Sequence, residues 1–164
     1  MGEIETLIAD LADETDKLCR SIERLGDSQA QGHGSRLPGW TRAHVLVHLA
    51  RNADGLRNLL LSARTATPLR MYASPETRLA DIDAGVTRPA EVIAADALES
   101  STRFLVEARA MPPQAWEEKV LFSSGRPDPP LVAAPRLLEM RLQEVVLHHV
   151  DLDADYEFDD VPER

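Results

Sequence analysis

A chain of 164 residues, 43% hydrophobic and 28% charged, has the size and balance of one domain with an ordinary core. Its formal net charge of -10 excludes the lysine- and arginine-rich surface by which nucleic acids are held, and disfavours an anionic membrane surface. A few local arginines are still enough to hold a small anion.

Cys19 is the single cysteine, so an intrachain disulfide and a cysteine-rich zinc site are excluded. Its neighbours Leu18, Ile22 and Leu25 make it a small core residue. No apolar run is long enough to span a bilayer, and the acidic N-terminus is unlike a secretory signal. The expected compartment is the cytoplasm.

Residues 3–25 repeat Ile4, Leu7, Ile8, Leu11, Leu18, Ile22 and Leu25 at helical spacing, with Gly26 as the stop. A loop rich in glycine and proline follows, from Asp27 to Trp40. Thr41 caps a second helix reaching about Ala63, whose apolar arc runs through Val45, Leu46, Leu49, Ala53, Leu56, Leu59 and Leu60. His48 lies at the edge of that arc beside Asn52, and His44 lies one turn earlier toward the polar side.

Ser74-Pro75-Glu76 reads as a cap with proline at the first helical position, opening a short helix to Ala84 that Gly85 ends. Residues 89–110 form the next long helix, with Val92, Ile93, Ala97, Leu98, Phe104, Leu105 and Ala108 inward. Met111-Pro112-Pro113 breaks it. Trp116, Val120 and Phe122 alternate as in a short strand or extended arm, closed by Gly125, Pro127, Pro129 and Pro130. The last helix is predicted over Arg136–Tyr156, opened by Pro135. Four long helices with short extra elements point to an all-α fold, an antiparallel four-helix bundle.

That last helix carries the chemistry. At about 100° per residue, Glu144, His148, Arg141 and Asp151 share one narrow sector flanked by apolar residues. Glu144 and His148 are four apart, so both can reach one metal ion. A carboxylate and an imidazole between apolar helices need compensation, which a metal supplies. The competing reading is a buried Glu–His or Arg–Glu pair that locks the bundle. With a metal, two histidines and one glutamate favour zinc with an open fourth position, and iron is the rival. His149 points about 100° from His148, toward the surface or another helix. His33, between glycines, has no assigned role.

Three runs, in order, are similar to the mycothiol-dependent maleylpyruvate isomerases: L-P-G-W-T-R-A-H-V-L-V-H-L-A-R-N-A (Leu37–Ala53), M-Y-A-S-P-E-T-R (Met71–Arg78) and M-R-L-Q-E-V-V-L-H-H-V-D-L (Met140–Leu152). The resemblance implies a bundle of the DinB-like type. It implies zinc, or another divalent metal, on His48, Glu144 and His148, with His44 a neighbour and not a ligand. It implies mycothiol or a similar low-molecular-weight thiol as cosubstrate and a small electrophile as substrate. The corresponding activity is conversion of maleylpyruvate to fumarylpyruvate by reversible thiolate addition.

Arg141 is a candidate for binding a substrate carboxylate or enolate, or for a salt bridge to Glu144 or Asp151. Arg78 and Tyr72 are candidates for the pocket mouth or for the surface. Asp151 is placed to orient a ligand histidine or to make a helix-terminal contact. Asn52 is placed beside the ligands or at a plain helix interface. Relatives of the maleylpyruvate type usually continue into a smaller C-terminal domain, so the expectation for residues 1–164 is a single bundle domain, natural or truncated. A homodimer or a separate lid partner is the corresponding expectation for assembly. Two other functions stay open: a thiol S-transferase acting on an electrophile, and a non-enzymatic metal- or thiol-binding bundle.

Overall fold

Leu11, Leu18, Ile22 and Leu25 are all buried, on the face that helix α1 (Gly2–Gly32) turns to its neighbours. The computed structural model describes residues 2–32, 34–122 and 129–162, with the backbone alone over 27–32. His33, and Gly125 and Pro127 of the expected arm, lie outside the described residues. Gly26 is a kink and not the end of α1. It adopts φ 62°, ψ 171°, a left-handed φ that costs glycine little, and helical turns resume beyond it.

Helix α2 (Arg42–Thr65) is the central element. Val45, Leu46, Leu49, Ala53, Leu56, Leu59 and Leu60 on it are at most 1% exposed, and burying one such leucine or valine is worth about 1.5–3 kcal/mol. Its start is closed by its own first turn. The Thr41 N–H donates to Nδ1 of His44 at 3.1 Å, and the Thr41 hydroxyl lies 2.8 Å from the same nitrogen. His44 is therefore engaged in capping.

Helix α3 (Pro75–Gly85) begins where Ser74 Oγ accepts from the Thr77 N–H at 3.1 Å. Gly85 matters for space and not for stopping the helix. A Cβ there would sit 2.5 Å from Cγ1 of Val47, so the end of α3 rests directly on α2. Gly55 plays the same part further along α2, where a Cβ would meet Met71 Cγ at 2.8 Å. Those two glycines bring the Met71–Arg78 segment down onto α2.

Helix α4 (Ala90–Arg109) buries Ile93, Ala97, Phe104 and Ala108. Val92, expected inside, is 42% exposed, because it precedes Ile93 by about 100° and falls outside the stripe. After α4, Trp116 is buried on a 3-10 turn, not in a strand. Strands β1 (Lys119–Leu121) and β2 (Leu131–Ala133) pair antiparallel with Val120 opposite Val132.

Helix α5 (Arg136–Asp151) ends before the expected Tyr156. Acidic side chains oppose the negative end of a helix dipole, and Asp151, Asp153 and Asp155 crowd this one. Asp153 turns to φ 50°. Arg42 clamps the terminus, its Nε donating to the Leu152 carbonyl at 2.6 Å and its Nη2 to the Asp153 carbonyl. The Arg36 N–H donates to the Asp151 carbonyl at 2.9 Å.

Helices α1 and α2 each pack against both α4 and α5, and α3 packs on α2. This is the expected DinB-like antiparallel four-helix bundle. No helix among the described residues is long and apolar enough to cross a membrane.

Candidate metal centre

The α2–α5 contact brings one histidine of α2 to the Glu–His pair of α5. His48 Nε2 lies 2.9 Å from Glu144 Oε2, and His148 Nε2 lies 3.4 Å from the same oxygen. The two imidazoles meet nearly edge to face, 4.7 Å between centroids and 86° between planes. One donor atom from each of the three residues falls within 4.8 Å of the others. His48 is buried, while Glu144 and His148 are half-buried, which leaves one side of the group open. Two imidazole nitrogens and one carboxylate with an open side fit zinc.

The outward ring nitrogens are held differently. Nδ1 of His148 is 2.8 Å from Asp151 Oδ2, and Nδ1 of His48 is 3.0 Å from Arg78 Nη2. Trp40 walls the group, its ring 5.6 Å from that of His48.

Charge follows the same geometry. Burial alone would raise the Glu144 carboxyl, but hydrogen bonds with His148 and His48 outweigh it and hold the group well below the usual carboxylate range. Burial lowers His48, only partly offset by Glu144. Burial opposes the charge on His148 too, yet Glu144 and Asp151 together raise it. The two imidazoles beside this carboxylate are thus pushed in opposite directions, His48 down and His148 up.

A cavity of about 400 Å³ opens onto His48 and Glu144. Its polar wall includes Asn52, Tyr72, Arg78 and Gln143, and its apolar wall includes Leu56 and Phe122. Arg78 sits over the Tyr72 ring, 5.7 Å from its centroid. Burial raises the Tyr72 hydroxyl despite the opposing effect of Arg78, so it stays a protonated donor.

The sequence profile of the mycothiol maleylpyruvate isomerase N-terminal domain matches residues 11–153. The chain belongs to this family. Two solved structures superpose on it with TM-score 0.89: the mycothiol-dependent maleylpyruvate isomerase, at 34% identity, and its histidine-to-alanine mutant, at 33%. Each comparison covers 97% of this chain and 64% of the other. The chain thus spans less than two thirds of the length of these structures. No match emerges among curated proteins.

Within this maleylpyruvate isomerase N-terminal fold, Arg141 is not where the helical projection places it. It is 1% exposed and turned into the bundle, and it pairs with neither Glu144 nor Asp151. Its Nη1 donates to the Leu49 carbonyl at 3.0 Å and to Asn52 Oδ1 at 2.9 Å, and its Nη2 donates to Ser101 Oγ at 3.0 Å. Burial lowers its pKa to about 10, which leaves it charged at neutral pH. With its oxygen taken by Arg141, the Asn52 amide keeps its NH2 as the donor for the cavity.

His149 is buried on the opposite side of α5. Its Nε2 lies 2.8 Å from Ser21 Oγ on α1, and its ring stacks on Tyr156 at 3.9 Å. Cys19 is partly buried, and burial with Asp16 and Glu23 raises its thiol to about 11.

Several site residues were not found by sequence reasoning. Gln143, Phe122 and Met71 line the cavity, Trp40 flanks His48, and Gly55 makes room for the Met71–Tyr72 segment. A glycine in the middle of an otherwise apolar helix is the one signal that marks such a close approach.

Proposed function

We propose that this chain is a zinc- and thiol-dependent cis–trans isomerase that converts maleylpyruvate to fumarylpyruvate with mycothiol as cosubstrate. One observation carries the reading: donor atoms of His48, Glu144 and His148 converge on one point, and His48 and Glu144 of that group line a cavity whose wall presents Arg78, Tyr72 and Asn52. His48 Nε2, Glu144 and His148 Nε2 would hold the ion, and when bound it supplies the Lewis acidity that favours thiolate over thiol near neutral pH.

The mycothiol sulfur adds to one carbon of the cis double bond. A C–S bond forms, and the π pair moves onto the conjugated carbonyl as an enolate. The former double bond is now single and rotates. Collapse of the enolate breaks the C–S bond, leaves the trans alkene and returns the thiol. Arg78 supplies a cation for a substrate carboxylate. Asn52, oriented by Arg141, donates its amide N–H to the developing enolate oxygen, where a fixed donor acts most strongly. Tyr72 packs beneath Arg78 and offers a second neutral donor. The isomerase balances without net consumption of thiol, and its expected compartment is the cytoplasm, where such thiols are kept reduced.

The test supplies limiting mycothiol with excess maleylpyruvate and follows both thiol and product. The isomerase forms many equivalents of fumarylpyruvate per thiol and leaves the thiol concentration unchanged. Loss of thiol in step with substrate makes the chain an S-transferase on the same site. Metal uptake with no turnover of either kind makes it a binding bundle.

A further inference from the structure

We propose that the groove between α1 and α5 is the subsite for the tail of the thiol cosubstrate, reached from the candidate metal centre across Gln143 and Leu147. This inference rests on the thiol-dependent reading above.

Two stripes run side by side on α5. Glu144 and His148, four apart, share one face. Gln143 and Leu147 are also four apart, each one position earlier and so about 100° around the helix. This second stripe faces solvent: Gln143 is exposed and Leu147 is 49% exposed. Leu147 borders a groove of about 440 Å³, whose apolar floor is Leu7 of α1 with Leu142, Val146 and Leu147 of α5. Gln143 lines both that groove and the cavity at His48 and Glu144. The two spaces are therefore neighbours across one side chain.

Their chemistry differs as the two reactants differ. The cavity presents the guanidinium of Arg78 and the donors of Tyr72 and Asn52, which suit the carboxylate and carbonyl of the electrophile. The groove has one cation and one anion at its edge, Arg136 and Glu139, and these pair with each other. Among the described residues the side-chain amide of Gln143 has no partner. An apolar floor with an uncharged hydrogen-bonding edge suits the CH faces and hydroxyls of a sugar, and not an anion. Mycothiol has that form, with the sulfur of an N-acetylcysteine at one end and an uncharged glucosaminyl-inositol at the other. With the sulfur on the open side of the group, where Glu144 and His148 are half-buried, the tail crosses Gln143 and lies on Leu147 and Val146. The Gln143 amide then donates to and accepts from its hydroxyls. The electrophile keeps the Arg78 wall, so the two reactants meet without competing for one space.

Two readouts test the subsite. The first needs no turnover: N-acetylglucosaminyl-inositol, which has the tail and no sulfur, is titrated into the methyl-labelled chain and followed by NMR. The methyl groups of Leu7, Leu142, Val146 and Leu147 shift, and those of Leu56 and Met71 in the other cavity do not. The second compares thiols in a variant combining Gln143→Ala with Leu147→Gln, two exposed positions. The ratio of kcat/KM for mycothiol to that for N-acetylcysteine falls about fivefold or more, because only mycothiol has a tail to lose. A smaller change in that ratio overturns the subsite. So do fragment shifts confined to Leu56 and Met71, or no saturable shift at millimolar fragment. Groove methyls that shift with protein concentration alone place a second copy of the chain there and overturn it too. If the groove methyls respond to the fragment as expected and no thiol supports turnover, the subsite stands and the isomerase reading falls.

Discussion

Asp151 accepts at Nδ1 of His148, 2.8 Å away across three residues of α5. A carboxylate accepting there keeps the proton on Nδ1, so Nε2, which faces Glu144, is the position that a metal would take in the proposed site. Asp151→Ala should lower zinc affinity by about 10–100-fold while leaving the fold intact. Competition against a chromogenic chelator measures it. Unchanged affinity would make Asp151 a helix-terminal contact and nothing more.

The proposed ligand set of His48, Glu144 and His148 leaves out the adjacent His149. His48→Ala and Glu144→Ala should each lose about 100-fold or more in zinc affinity, since each removes a donor from a set of three. His149→Ala should keep zinc and lose about 2 kcal/mol of stability, because His149 stacks on Tyr156 and reaches Ser21 on α1. Zinc per chain by elemental analysis, with urea denaturation beside it, decides. Equal zinc loss in all three overturns the assignment.

Arg141 acts on Asn52 and not on substrate in this geometry. Arg141→Met leaves Asn52 Oδ1 and Ser101 Oγ without their donor, at a cost of about 2 kcal/mol. It should retain zinc and lower kcat, as an untethered Asn52 amide no longer holds its donor on the enolate. Direct contact with substrate would instead raise KM and leave the denaturation midpoint in place.

Acid stability should report His149. Burial lowers its pKa from 6.5 to about 4 in the folded chain. Above pH 6.5 the ring is neutral in both states and pH has no effect through it. As pH falls toward 4, the unfolded chain takes a proton that the folded chain refuses. Stability then drops by up to about 1.4 kcal/mol per pH unit. His149→Phe keeps the stack on Tyr156 and removes the titration, so its denaturation midpoint should change less between pH 7 and 4 than that of the wild type.

The helices were legible because their information is local. Apolar spacing marked the buried faces of α1, α2 and α4, while Thr41 and Ser74 marked the starts of α2 and α3. The four-residue spacing of Glu144 and His148 put both on one side of α5, which needs no knowledge of other chain segments. His48 entered through resemblance, since nothing in the spacing of α2 says which residue of α5 it will face.

What faces what was decided by tertiary structure. A helical projection put Arg141 beside Glu144, yet the long side chain reaches the opposite way, to Leu49, Asn52 and Ser101, where buried acceptors lie within its span. The end of α5 was set by Arg36 and Arg42 gathering its last carbonyls, a contact between segments over a hundred residues apart in sequence. Arg78 meets His48 only because Gly85 lets α3 settle on α2. Periodicity determines which side of a helix is buried. The partner of each polar group, and therefore which nitrogen of a histidine carries its proton, depends on atoms that only the folded bundle brings together.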